Sequence, residues 1–143
     1  MAGKTTVFAN ALLKLLLQAT AIANVADNAA TAPITNTYVS LHTADPGVGG
    51  TQSTNETTYT SYARQAVARS SGGWTVTNNV ANPVANIVFP ISTGGTPAIT
   101  HFGVGTAVSG ATSLWWSGTV TPNITVSTSV VQTLTTGSTI TET

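Results

Sequence analysis

The 143-residue sequence contains no cysteine, which excludes disulfides and thiolate metal sites and leaves the redox compartment open. Charge is almost as scarce. Lys4, Lys14, Arg64 and Arg69 balance Asp27, Asp45, Glu56 and Glu142 to a net charge of zero, so charged residues make up 6% of the chain against roughly 25% in an average soluble domain. A nucleic-acid partner needs a basic footprint that displaces counterions from phosphate, and four cations set against four anions do not make one. The same shortage excludes a polybasic membrane anchor. A near-neutral chain also lacks the mutual repulsion that keeps proteins apart, which suits a subunit held within an assembly.

What fills the polar positions is uncharged: 29 Thr, 12 Ser and 10 Asn. Thr is β-branched and fits a pleated surface, so this composition favours strands and turns. With 41% hydrophobic residues the chain can bury a core, and its length suits a single β core. The reading is a helical segment over residues 1–28, packing on the domain or on a neighbour, followed by a β-sandwich domain over residues 29–143.

Residues 5–23 read TTVFANALLKLLLQATAIA. Phe8, Leu12, Leu15, Ala19 and Ile22 recur at helical spacing, with Leu13, Leu16 and Leu17 forming a second apolar stripe beside them. The pattern predicts an amphipathic helix capped by Thr5 or Thr6 and ending near Asn24, Asp27 and Asn28. Lys14 interrupts the apolar run, which argues against a membrane span and against the hydrophobic stretch of a signal peptide. Gly3-Lys4-Thr5-Thr6 mimics the end of a phosphate-binding loop but lacks its first glycine and feeding strand.

From residue 29 onward, short β-like runs are broken by Gly, Pro, Asn and Ser. Strands are predicted over 37–42, 63–70, 73–78, 84–89, 100–106, 113–118, 123–128 and 130–135, with a short one at 139–141. About eight strands and one N-terminal helix predict a mainly β fold, an antiparallel β-sandwich or jelly roll. Residues 44–60 read as a loop long enough to be functional or interface-forming. Alternation puts Val39 and Leu41 on one face of the first strand, and Phe102 and Val104 inward with His101 outward. It also sends Trp115 and Trp116 to opposite faces. Leu114 then shares the core face with Trp116, and Trp115 stands on the outer face, where the helix or a partner must cover it.

Signals for chemistry are thin. His42, Asp45 and His101 are the minimum for a metal or acid–base site, but Asp45-Pro46 reads equally as a turn. Ser40, His42 and Asp45 lie too close along one run to form a nucleophile triad easily. Gly103-Val104-Gly105 lacks the third glycine and the helix of a dinucleotide site. Arg64 and Arg69 could hold a partner's carboxylate or simply pair with Glu56. No catalytic residue, cofactor or metal ligand is assigned. The candidate interface residues are Trp115, Tyr62, Arg64, Arg69, Leu13 and Leu16.

The runs YVSLHTADPG (38–47), TNE (54–56), YTSYAR (59–64), GGWTV (72–76) and THFGVG (100–105) together resemble a group of small tailed-bacteriophage virion structural proteins, over residues 38–118. The resemblance extends to jelly-roll cement proteins that decorate phage heads, although members of the group also carry tail-fibre names. It implies a capsid cement, or decoration, protein made in the bacterial cytoplasm. Such a protein would sit on the capsid surface, bind the major capsid protein and copies of itself as dimer or trimer, and engage neither nucleic acid nor membrane. The alternative it implies is a tail or tail-fibre component that touches the host, with exposed aromatics such as Trp115 and Tyr62 stacking on sugar rings.

Overall fold

Residues 5–22, 26 and 33–142 are described by the structure, a computed structural model. The chain is mainly β: helix α1 (Thr6–Gln18) precedes β1 (Asn36–His42), β2 (Gln65–Ala68), β3 (Trp74–Thr77), β4 (Val80–Pro83), β5 (Ile87–Val88), β6 (Ala98–Gly105), β7 (Leu114–Thr125), β8 (Thr133–Leu134) and β9 (Ile140–Thr141). The strands form sheets of order β2-β1-β6-β7, β3-β4-β9 and β5-β8, and among the described residues no sheet closes into a barrel. Among the described residues no helix is long and apolar enough to cross a membrane.

Two compact units are formed. The first takes residues up to Asn36, Val67–Asn86 and Thr135 onward. In it α1 lies on β3 and β4. Thr5 caps the helix by accepting from the Phe8 N–H at 3.3 Å. The buried stripe is Ala9, Leu13 and Leu17, four apart, whereas Phe8 is half exposed and Leu12 and Leu15 are intermediate. The helix stops well before residue 23. Ala19 is left-handed (φ 55°) and the Thr20 N–H turns back to the Lys14 carbonyl. Arg69 takes the freed carbonyls, donating from Nε to Leu16 O at 2.6 Å and from Nη2 to Leu15 O. A buried guanidinium thus satisfies groups that a longer helix would have satisfied itself. Asn24, Asp27 and Asn28, expected at the helix end, lie outside the described residues, as do Gly3 and Lys4.

β3 and β4 form a tight hairpin through Asn78-Asn79, with Asn78 left-handed at φ 56°. Asn tolerates that conformation, which matches the twist of the two strands. Pro83 ends β4 opposite Trp74, while β9 pairs only with Val80 and Ala81. The missing N–H of Pro83 therefore breaks no ladder bond with β9. Trp74, Ala81 and Ile140 join Leu13 and Leu17 in this core.

The second unit spans Thr37–Ala66 and Ile87–Leu134. β6 lies between β1 and β7, with Val39 opposite Val104 and Leu41 opposite Phe102. Both faces of β1 are buried: Val39 and Leu41 on one, Ser40 and His42 on the other. Residues 44–60 explain this, since the segment folds back against the sheet. Its Glu56 bridges to His42, Thr51 to Ser113 and Thr60 to Gly94, and it buries Gln52, Thr57 and Tyr59. β7 is one strand where two were expected. From Thr119 to Ile124 it advances five residues while β6 advances two, so Val120 to Asn123 loop out of an otherwise continuous ladder.

Candidate functional site

β6 carries Gly103 and Gly105 where the second unit places its buried polar side chains. A Cβ on Gly103 would lie 2.7 Å from His42 Nε2 and 2.8 Å from Ser40 Oγ, and one on Gly105 would lie 2.2 Å from Gln52 Cδ. Bare backbone therefore makes room for these groups.

His42 and Ser40 do meet, at 2.8 Å between Nε2 and Oγ. His42 Nδ1 is 2.8 Å from the Thr54 carbonyl, which can only accept. The proton therefore sits on Nδ1, and Ser40 donates to Nε2. Both side chains are wholly buried, and burial pushes the His42 pKa below its ordinary value. The imidazole is thus a neutral link holding β1 to the folded-back segment, closed to any substrate. His101 stands opposite it in register and bonds Thr100 Oγ1 through Nδ1. Asp45 turns away, its Oδ1 accepting from the Gly47 N–H at 2.9 Å in a local turn. These three groups do not converge. Among the described residues no cluster of three or more His, Asp or Glu is placed to hold a metal.

Arg64 and Glu56 form a bidentate pair, Nε to Oε1 and Nη2 to Oε2, both at 2.7 Å. Arg64 also donates to the Ala107 and Gly110 carbonyls and to Ser53 Oγ. Tyr62 donates to Glu56 Oε1 and accepts from the Leu41 N–H. Burial pushes its pKa far above the ordinary phenol range. Its ring is edge-on to Tyr59 (5.3 Å) and stacked on Phe89 (6.3 Å). Gln52 gives Nε2 to the Tyr38 carbonyl, and its Oε1 accepts from Thr106 N, Ala107 N and Thr112 Oγ1. Buried side chains thereby fasten two loops, 43–64 and 106–112, that the sheet holds otherwise only by isolated bridges and single backbone bonds.

The two tryptophans lie at the start of edge strand β7. Val104 pairs with Trp116 and Gly105 with Leu114, so Trp115 is the extra residue of a β-bulge. This corrects the expectation from alternation. Leu114 and Trp116 do not share a face, and the indoles do not stand on opposite faces but meet edge to face, centroids 6.0 Å apart and planes at 82°. Both are half-buried. Together with Leu114 and Ser117 on β7, and with Asp45, Gly47, Val48 and Gly50 of the neighbouring loop, they line a groove of about 380 Å³.

Four of the other residues expected at an interface are engaged within the chain for identifiable reasons. Leu13 fills the core under α1, Arg69 caps that helix, Arg64 neutralises Glu56, and Tyr62 is enclosed by two rings. Leu16 is half-buried. Of the six, Trp115 alone reaches the groove. The facing loop belongs to the 44–60 segment whose length marks it as functional or interface-forming, whereas nothing in the sequence points to the hub role of Gln52 itself. Two glycines within one strand signal only that some group comes near, since glycine there marks a bulge or a close approach.

Residues 3–141 match the model of the family described as Podophage GP4 fiber I protein gp80. No curated protein matches the chain.

Proposed function

The chain belongs to the podophage GP4 fiber I protein gp80 family, a family of phage virion fibre proteins, and from that premise we propose that it is a structural subunit of the fibre, packed against further copies of itself. The observation that carries this reading is the extent of the match, which takes in both compact units. It favours the tail-fibre alternative over capsid cement. The side-chain chemistry supports a structural role, because the reactive-looking groups are spent internally: His42 on Thr54 and Ser40, and Arg64 on Glu56. Exposed Val48, Val88, Val108, Val130 and Val131, set among Thr, Ser and Asn, offer an uncharged surface. Contacts made by such a surface depend little on salt, unlike exposed ion pairs.

Phage particles lacking the chain test the proposal. They should package DNA into heads as heat-stable as wild type, yet adsorb poorly to host cells. Heads that rupture on mild heating while adsorption stays normal would return the protein to the capsid.

A further inference from the structure

We propose, resting on the fibre reading, that the groove between the bulged start of β7 and the 45–50 loop binds a neutral pyranose ring of a host surface glycan. Its volume, about 380 Å³, lies at the small end of the roughly 300–1,000 Å³ typical of ligand clefts. The bulge is what creates it. A regular strand would send Trp115 and Trp116 to opposite faces, whereas the extra residue sets one indole edge-on to the other at 6.0 Å. The face of an indole carries the negative lobe of its quadrupole. A pyranose offers the complement, a flat patch of weakly positive C–H groups ringed by hydroxyls.

Those hydroxyls find partners around the platform. Asp45 uses Oδ1 on the Gly47 N–H, and among the described residues its Oδ2 has no hydrogen-bond partner. Ser117 Oγ and Trp115 Nε1 are likewise unengaged among the described residues. The groove therefore offers one carboxylate acceptor, one hydroxyl and one N–H donor beside an aromatic surface, which is the pairing of apolar and directional groups that a sugar presents. Charge selects among sugars. Asp45 is the one charged residue in the lining, so a neutral ring meets no repulsion, while an acidic sugar or a phosphate does. Binding of a single ring is weak, with Kd of about millimolar order, and repetition along a fibre multiplies it.

Saturation-transfer NMR on the full chain tests this with glucose, galactose, mannose, N-acetylglucosamine and, as the acidic comparison, N-acetylneuraminic acid. At least one neutral sugar should show transfer, strongest at its ring C–H protons, and N-acetylneuraminic acid should show less. Trp115→Ala should weaken the responding sugar about tenfold or more. Trp115→Phe, which keeps a stacking face, should retain part of the binding and guards against an alanine variant that fails to fold. Asp45→Asn keeps an oxygen for the Gly47 N–H and should weaken the neutral sugar about threefold while narrowing its advantage over the acidic one. Absence of transfer to every neutral sugar, or transfer undiminished in both Trp115 variants, overturns the proposal. The fibre reading fails separately: a chain found on fibres without sugar transfer overturns the groove assignment alone, and a chain found on the head overturns the fibre.

Discussion

Replacing Arg64 by Met removes the only Lys or Arg in the second unit and leaves Glu56 with the Tyr62 hydroxyl as its remaining side-chain partner. The Arg64 side chain is 2% exposed and that of Glu56 15%. The carboxylate thus stays in a mostly water-free site without its counter-charge. Breaking a buried pair from one side costs about 3–5 kcal/mol. Glu56 keeps slight access to solvent, and the Ala107 and Gly110 carbonyls sit on a loop where water can replace the lost donors, so the low end of that range applies. With an unfolding entropy of about 2.1 cal/mol/K per residue, a loss of about 3.5 kcal/mol lowers Tm by roughly 10 °C. Urea unfolding followed by tryptophan fluorescence gives the free energy, and calorimetry the Tm. The double variant Arg64→Met with Glu56→Gln removes the stranded charge yet keeps an acceptor for Tyr62, and should recover about half the loss or more. Two results would refute the reasoning: a single variant within about 1 kcal/mol of wild type, the worth of an exposed pair, or a double variant no more stable than the single one.

Other expectations follow from the same geometry. Gly103→Ala should destabilise the chain by about 1–3 kcal/mol in urea unfolding, since the added methyl meets His42, Leu114 and Ser40 inside 2.9 Å. Arg69→Ala should cost about 2–4 kcal/mol and reduce helical circular dichroism, because the Leu15 and Leu16 carbonyls lose a charged donor. His42 has a folded pKa depressed by burial. The unfolded chain therefore binds this proton first, and the stability His42 contributes is complete above the unfolded value of about 6.5 and is lost as pH falls toward the lower folded value. The urea midpoint should drop between pH 7.5 and about 5, and His42→Gln should flatten that dependence. An unchanged slope in the variant would assign it to another group.

Much of the architecture was legible because period and punctuation agree: β1, β3 and β6 fall within a few residues of their expected places, as does the N-cap at Thr5. The helix end was not, since Arg69, far along the chain, takes the carbonyls that end it. β4 falls between the expected strands 73–78 and 84–89, because its Asn and Pro are poor strand formers, yet Asn82 uses its Nδ2 on the Thr136 and Ser138 carbonyls and Pro83 stands where no ladder bond is needed. At the groove, alternation points to Trp115 as the outward indole, but it assumes an unbroken ladder and so separates two side chains that a bulge brings together. Arg64 stands out by the scarcity of cations, and Tyr62 as an aromatic that the fibre resemblance would leave exposed. Scarce polar and aromatic groups in a nearly uncharged chain are as useful for fastening loops as for meeting partners, and here the loops hold them.

Gold-labelled antibody against the full chain, applied to intact virions and viewed by electron microscopy, tests the fibre assignment most directly. The account predicts label on the fibres, with a copy number by quantitative densitometry in the tens or below. Label spread over the head at hundreds of copies per particle would contradict it.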